Sequence, residues 1–173
     1  MMSELIPVLT KNDIDALVAE IAHRISSDYE KQELILIGIL KGAFVFLSDL
    51  VRRLSIPVKI DFIRVSSYGS GVSSSGKIHL SKDIEIDIKN KNVLLIEDIV
   101  DTGLTLKYLI DYLKTYHPKT VKFCTLIDKH ERRKVDVEID YICHVVTEGF
   151  LVGYGLDYDE NYRYLPGVYN LKL

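Results

Sequence analysis

Val93-Leu94-Leu95-Ile96-Glu97-Asp98-Ile99-Val100-Asp101-Thr102-Gly103-Leu104-Thr105 is the stretch that decides the fold. Four apolar residues run straight into two acids, and a short polar turn then opens onto a helical stripe of Leu106, Leu109, Ile110 and Leu113. The order is strand, loop and helix start. In an open parallel sheet, ligands bind just beyond the carboxyl ends of the strands, which is where this pattern puts Glu97 and Asp98. Paired carboxylates at such an end accept hydrogen bonds from vicinal hydroxyls and help to hold Mg²⁺. Asp101 to Thr105 offers backbone N–H groups at a helix N-terminus, two hydroxyls and a permissive glycine, together a cradle for a phosphate. The plainer alternative is that Asp101 or Thr102 merely caps the helix. That alternative leaves unexplained two adjacent acids at the end of a buried strand, which are costly without a cation or ligand. The stretch from Glu97 to Thr105 therefore reads as a holder of a ribose and its phosphate.

Outward from this stretch, strands alternate with helices. Ile14, Leu17, Val18, Ile21 and Ile25 recur at helical spacing between Thr10 and about Tyr29, with Thr10 and Asp13 as a capping pair. Leu34 to Leu40 is a continuous apolar run, as in a strand covered on both faces. Lys41-Gly42 interrupts it, and a second helix is predicted from about Ala43 to Leu54. Val58 to Val65 is strand-like, and Ser66 to Gly76, rich in serine and glycine, reads as a mobile loop. Asp83 to Ile88 alternates apolar and acidic residues, the pattern of a half-exposed strand. Val121 to Ile127 and Ile139 to Val146 are further strands. The pattern predicts an α/β fold with a central, mainly parallel sheet flanked by helices. No repeat or linker-like shift divides residues 1–173, so a single domain is expected.

Composition narrows the function. The chain has 173 residues, a formal net charge of −3 and a sequence pI of about 5.9, a poor balance for non-specific nucleic-acid binding, which Lys and Arg drive by displacing counterions. No apolar run approaches the ~20 residues of a membrane span, and Met1 to Thr10 lacks the features of a signal peptide. Cys124 and Cys143 lie in apolar, strand-like runs and read as free thiols, so a cytoplasmic protein is expected. Gly71 to Lys77 has the G-x-x-x-x-G-K frame of a P-loop, but Ile78 stands where Ser or Thr is required and no helix start follows. His23, His79, His117 and His144 show no metal-ligand spacing.

Val93 to Thr105 resembles the phosphoribosyl-diphosphate motif of type I phosphoribosyltransferases. Ile39-Leu40-Lys41-Gly42, Ser67-Tyr68-Gly69, Leu126-Ile127-Asp128-Lys129, Phe150 to Tyr158 and Arg163 narrow the resemblance to the hypoxanthine-guanine branch, over a span from Leu36 to Arg163. The resemblance implies transfer of 5-phosphoribosyl to a 6-oxopurine with release of pyrophosphate. It also implies a small hood over the sheet formed by the N- and C-terminal segments. Glu97 and Asp98 then hold the ribose hydroxyls, directly or through Mg²⁺, within a phosphoribosyl site of Glu97, Asp98, Ile99, Val100, Asp101, Thr102, Gly103, Leu104 and Thr105.

Asp101 matches the general base facing N7 of the purine. Lys129 matches the donor to O6, and a lysine has donors and no acceptor, so it favours a carbonyl over the amino group of adenine. Phe150 matches the aromatic that stacks on the base, with Ile99 on its other side and Leu151 presenting backbone groups to its edge. Asp157 matches a purine-side residue and a second Mg²⁺ ligand, besides Glu97 and Asp98. Lys41, Gly42 and Arg163 match pyrophosphate contacts, with a cis peptide before Lys41. Ser67 and Tyr68 match a lid. Without the resemblance, Lys129 would be an ordinary surface lysine beside the solvated run His130-Glu131-Arg132-Arg133. Two departures stand out: Leu104, where relatives often carry a polar residue, and Gly149, where many carry Lys or Glu. The implied partners are phosphoribosyl diphosphate, hypoxanthine and guanine, with no nucleic acid or membrane, in a homodimer or homotetramer. A regulator on the same fold that binds RNA or DNA would need a basic face or an added module, and these residues supply neither.

Overall fold

The fold is described from a computed structural model covering residues 4–67 and 78–172, with only the backbone at 66 and 67. Two central strands, β2 (Leu34–Leu40) and β5 (Asn92–Val100), pair in parallel, Leu34 opposite Asn92 through Gly38 opposite Ile96. Outward from β2 lie β3 (Val58–Ser67), parallel, and β4 (Ile78–Lys82), antiparallel. Outward from β5 lie β6 (Thr120–Lys129) and β7 (Tyr141–Val146), both parallel, giving the order β4-β3-β2-β5-β6-β7. A mainly parallel sheet needs cover on both faces, and the apolar runs provide for it by alternation. Leu34, Leu36, Leu94 and Ile96 join the core beneath α1 (Lys11–Asp28) and α2 (Phe44–Val51). Ile35, Ile37, Ile39, Val93 and Leu95 face the opposite way, into the core beneath α3 (Leu104–Lys114).

Local signals account for the helix starts. The Asp13 N–H donates to the Thr10 hydroxyl (3.2 Å), and the Thr10 N–H donates back to the Asp13 carboxylate (2.8 Å), a closed capping box. α2 stops at Val51, earlier than its apolar spacing suggests, because the Arg53 N–H turns in to the Leu50 carbonyl (3.0 Å). No helix among the described residues is long and apolar enough to cross a membrane.

A second sheet joins the chain ends. β1 (Glu4–Leu9), β9 (Val168–Lys172) and β8 (Leu151–Val152) run antiparallel in the order β1-β9-β8. This is the hood formed by N- and C-terminal segments. It brings Phe150 and Leu151 to the cavity at the carboxyl ends of the main strands.

Two sequence expectations need correction. Asp83 to Ile88 keeps its alternation of exposure but is not a strand; the strand is Ile78–Lys82. The hydrogen bonds of the later segment go to a side chain instead of a neighbouring strand: Asp61 Oδ2 accepts from the N–H groups of Glu85 (2.6 Å) and Ile86 (2.9 Å). Likewise β5 does not end at Ile96. It loses β2 there but stays paired to β6 through Val100 opposite Asp128. The expectations for Tyr68, for the rest of the serine-rich loop and for the P-loop-like frame fall outside the described residues, as does the side chain of Ser67.

Candidate active site

The carboxyl ends of β2, β5 and β6 meet the hood around a cavity of about 420 Å³. Lys41, Gly42, Glu97, Asp98, Ile99, Asp101, Thr105, Lys129, Phe150, Leu151, Asp157 and Arg163 all line it. A smaller recess of about 120 Å³ adjoins, shaped by Val100, Thr102 and Gly103 with Glu97, Ile99, Asp101, Thr105 and Leu106. Leu104 lines neither; its side chain is 39% exposed on the first turn of α3. The structure thus gathers residues from five separated parts of the chain.

Glu97 and Asp98 occupy the last turn of the pleat where β2 has already left β5. Burial, and then the neighbouring Asp98 charge, hold the Glu97 carboxyl well above the ordinary carboxylate range. Burial also pushes Asp98 up, against the hydrogen bonds it accepts from Glu97 and from the Ile99 N–H (2.9 Å) and against the Arg163 charge. Two carboxylates in this state suit a divalent cation shared with substrate oxygens. Among the described residues, no three His, Cys, Asp or Glu side chains converge as a complete metal site.

The turn after β5 carries Asp101. Its Oδ1 is buried without a hydrogen-bond partner, and its Oδ2 lies 3.7 Å from Arg132. Asp101 does not cap α3. Gly103 holds the N-cap position at φ 81 with no side-chain cap, and the Thr102 hydroxyl accepts the Leu104 N–H at 3.3 Å. A side chain at 103 is blocked twice over, by the positive φ and by the Val135 carbonyl, 2.6 Å from where a Cβ would be. Amides in the first turn of a helix have no acceptor within it; the Leu104 N–H is taken by the Thr102 hydroxyl, while Gly103, Thr105 and Leu106 line the smaller recess, a helix start suited to an anion.

On the opposite wall the Leu40–Lys41 peptide is cis. Lys41 Nζ lies 2.9 Å from Glu160. Arg163 pairs with Asp157 (2.9 Å) and donates to the Gly155 carbonyl (2.6 Å), while its Nε is buried without a partner. Lys129 closes β6. Its side chain is only 8% exposed, and its Nζ pairs with Glu131 at 3.0 Å. Phe150 is 44% exposed, with Tyr158 edge-on to it at 5.5 Å and 90°. Phe150 also lines the cavity, so part of its ring surface is open to a flat ligand.

The run His130 to Arg133 is an exposed turn at His130, Glu131 and Arg132, as the sequence implies, but its side chains are engaged and Arg133 is drawn inward. His130 pairs with Asp128 (2.8 Å), Glu131 holds both Lys129 and the Gly149 N–H (3.2 Å), and Arg132 lines the cavity. Arg133 is folded inward against Asp128 and the carbonyls of Val100, Asp101 and Lys129. Nothing in the local sequence announces this, because three of its partners are carbonyl groups that every residue carries.

A parallel sheet with an acid pair at a strand end, followed by an anion-ready helix start, defines a phosphoribosyl transferase domain, and the family of that description matches residues 8–159. The chain is 50% identical over 166 residues to the hypoxanthine-guanine phosphoribosyltransferase of Aquifex aeolicus, covering 95% of this chain and 93% of that one. It is 44% identical over 163 residues to the hypoxanthine phosphoribosyltransferase of Buchnera aphidicola, covering 93% and 92%. The crystal structure of a hypoxanthine-guanine phosphoribosyltransferase from Bacillus anthracis superposes with a TM-score of 0.91 at 42% identity, covering 99% of this chain and 100% of that one. The chain belongs to the hypoxanthine-guanine phosphoribosyltransferase family.

Proposed function

We propose that the protein transfers the 5-phosphoribosyl group from phosphoribosyl diphosphate to N9 of hypoxanthine or guanine, giving IMP or GMP and pyrophosphate, with residues 1–173 as one catalytic domain. The observation that carries this reading is a cavity lined by an acid pair, a buried lysine and a half-exposed aromatic, adjoining a recess at the start of α3. In the reaction the bond from C1′ to the pyrophosphate oxygen breaks, that oxygen keeps the electron pair, and N9 bonds to C1′. Thr102 to Thr105 grip the 5′-phosphate with N–H groups and hydroxyls. Lys41, the Gly42 backbone and Arg163 receive the pyrophosphate. Asp101 takes the N7 proton of the purine as N9 attacks; its unpartnered Oδ1 supports this role, because nothing else occupies it. Lys129 donates to O6, Leu151 offers backbone groups to the base edge, and Phe150 and Ile99 enclose the ring.

Glu97 and Asp98 would hold Mg²⁺ together with the ribose hydroxyls and pyrophosphate oxygens; when bound, the ion neutralises charge on the departing pyrophosphate. Asp157 would share in a second ion only by dividing its carboxylate with Arg163 and with the Glu160 N–H that it accepts at 2.9 Å. The reading includes cytoplasmic residence, supported by the two free cysteines, and assembly as a homodimer or homotetramer, supported by the family resemblance. Purified protein incubated with phosphoribosyl diphosphate, Mg²⁺ and each base in turn should form IMP from hypoxanthine and GMP from guanine. Absence of IMP overturns the proposal.

A further inference from the structure

We propose that Arg133 is a positioning residue for the purine half of this reaction: its guanidinium fixes the strand end carrying Lys129 relative to the loop carrying Asp101. The inference rests on the roles given above to those two residues. β5 and β6 are held by ladder hydrogen bonds only as far as Val100 opposite Asp128. Asp101 and Lys129 are the next residues on each strand, beyond that last pair. Lys129 is still paired to Val146 of β7, but no strand pairing joins it to Asp101, and Arg133 is the side chain that reaches both. Its Nε donates to the Asp101 carbonyl at 3.0 Å, and its NH2 group donates to the carbonyls of Val100 (3.2 Å) and Lys129 (3.1 Å). The same NH2 group pairs with the Asp128 carboxylate.

Burial makes this bridge selective. The Arg133 side chain is 19% exposed and that of Asp128 8%, so the contacts are largely shielded from water. A guanidinium presents its donors in a rigid plane. An ammonium on a flexible stem can keep the charge beside Asp128 but cannot meet carbonyls on both strands from one fixed plane. The neighbouring groups define what else bears on the bridge: His130 also pairs with Asp128, Glu131 with Lys129, and Arg132 approaches Asp101 Oδ2. None of those three reaches from one strand end to the other through the backbone carbonyls.

The phosphate side is held separately. The N–H groups of Lys134 and Val135 both donate to the Thr102 carbonyl, at 2.9 and 3.2 Å. These are main-chain bonds and survive a change of side chain at 133. Arg133 thus ties the start of the loop, at Val100 and Asp101, to the end of β6, whereas Thr102, which leads into the phosphate cradle, is held by backbone bonds that do not use that side chain. A side chain that merely held the fold together would weaken both substrates alike.

The test is steady-state kinetics on the full chain for the parent, Arg133→Lys, and the double variant Arg133→Gln/Asp128→Asn, with thermal melts of each. The double variant removes both buried charges together, so no unpaired carboxylate remains to unfold it. In both variants kcat should fall by about 10- to 100-fold, as expected of a shift of an ångström or less in reacting groups. KM for hypoxanthine should rise several-fold, whereas KM for phosphoribosyl diphosphate should move by less than about threefold, a split that marks base-side loss. Parent-like kcat and hypoxanthine KM in either variant overturn the proposal. A parallel rise in both KM values, or loss of the cooperative melt in both variants, also overturns it, since Arg133 would then be structural only. A parent that forms no IMP would remove the reading of the site and this inference together, and is told apart from the other outcomes before any variant is made.

Discussion

The Asp98 carboxylate occupies the space where a side chain at residue 42 would begin: a Cβ on Gly42 would lie 1.8 Å from Asp98 Oδ2. The Leu40–Gly42 turn and the acid pair are thus in contact through a glycine, and a Cβ added to Gly155 would in turn meet the Gly42 carbonyl at 2.2 Å. Gly42→Ala forces either the loop or Asp98 to move. Overpacking of this kind costs about 1–3 kcal/mol in stability, and it strikes two parts of the site at once. The expected result is a fall of at least about tenfold in kcat/KM for phosphoribosyl diphosphate, in a protein that still melts cooperatively. A variant with unaltered kcat/KM would show that the close approach has no bearing on substrate.

Asp101→Asn separates binding from chemistry. The substitution keeps the size of the side chain, the carbonyl that Arg133 holds, and the backbone of the phosphate turn. It removes the ability to take a proton. General base catalysis contributes about 10²–10⁴-fold, so turnover should fall within that range. The dissociation constant for phosphoribosyl diphosphate, measured by calorimetry, should stay within about threefold of the parent's. Turnover close to the parent's would take the base role from Asp101.

What could be read in the chain beforehand followed the range of the physics involved. The Thr10–Asp13 capping box and the doubly apolar run Leu34 to Leu40 are local, and both appear in the structure as their residues imply. Asp83 to Ile88 shows the limit. Its alternation predicts exposure correctly, but its hydrogen bonds go to Asp61, 24 and 25 residues earlier, which no periodicity encodes. β1 holds Pro7, a poor strand residue, and forms because β9 arrives from the far end of the chain to pair with it. At the site, the acid pair and phosphate turn were visible as a contiguous pattern. Lys129 and Phe150 were reached only through family resemblance, and Arg133 not at all, since its partners are backbone carbonyls.

The acid pair makes stability depend on pH in a direction opposite to that of a paired surface carboxylate. Burial and the Asp98 charge hold the Glu97 carboxyl well above its ordinary range in the folded protein. The folded state therefore binds more protons than the unfolded one as pH rises from the ordinary carboxylate range through the folded value. In that window stability falls with increasing pH. Glu97→Gln removes the group that titrates. In chelator-containing buffer without substrate, the melting temperature of the variant should exceed that of the parent, and the gap should widen with pH, reaching about 2–4 °C for each kcal/mol relieved. Phosphoribosyl transfer should be lost in the same variant. A gap that narrows with pH would contradict the raised Glu97 carboxyl.

Lys129 offers the sharpest test of base choice, because its side chain is buried and pairs with Glu131 at 3.0 Å. As an ammonium it can only donate, and it meets a 6-oxo group as an acceptor and a 6-amino group as a competing donor. Lys129→Gln replaces it with an amide that both donates and accepts. Hypoxanthine then loses a charge-assisted bond, worth about 1.5–3 kcal/mol, so its kcat/KM should fall by roughly 10- to 150-fold. Adenine loses a repulsion and should gain or hold its rate, so the ratio of hypoxanthine to adenine should shrink by at least the loss on hypoxanthine. Glu131→Gln serves as the control: it removes the ion pair but leaves the ammonium, and the ratio should stay near the parent's. If Lys129→Gln lowers both bases equally, the lysine supports the pocket without reading O6, and selectivity must come from the backbone edge at Leu151.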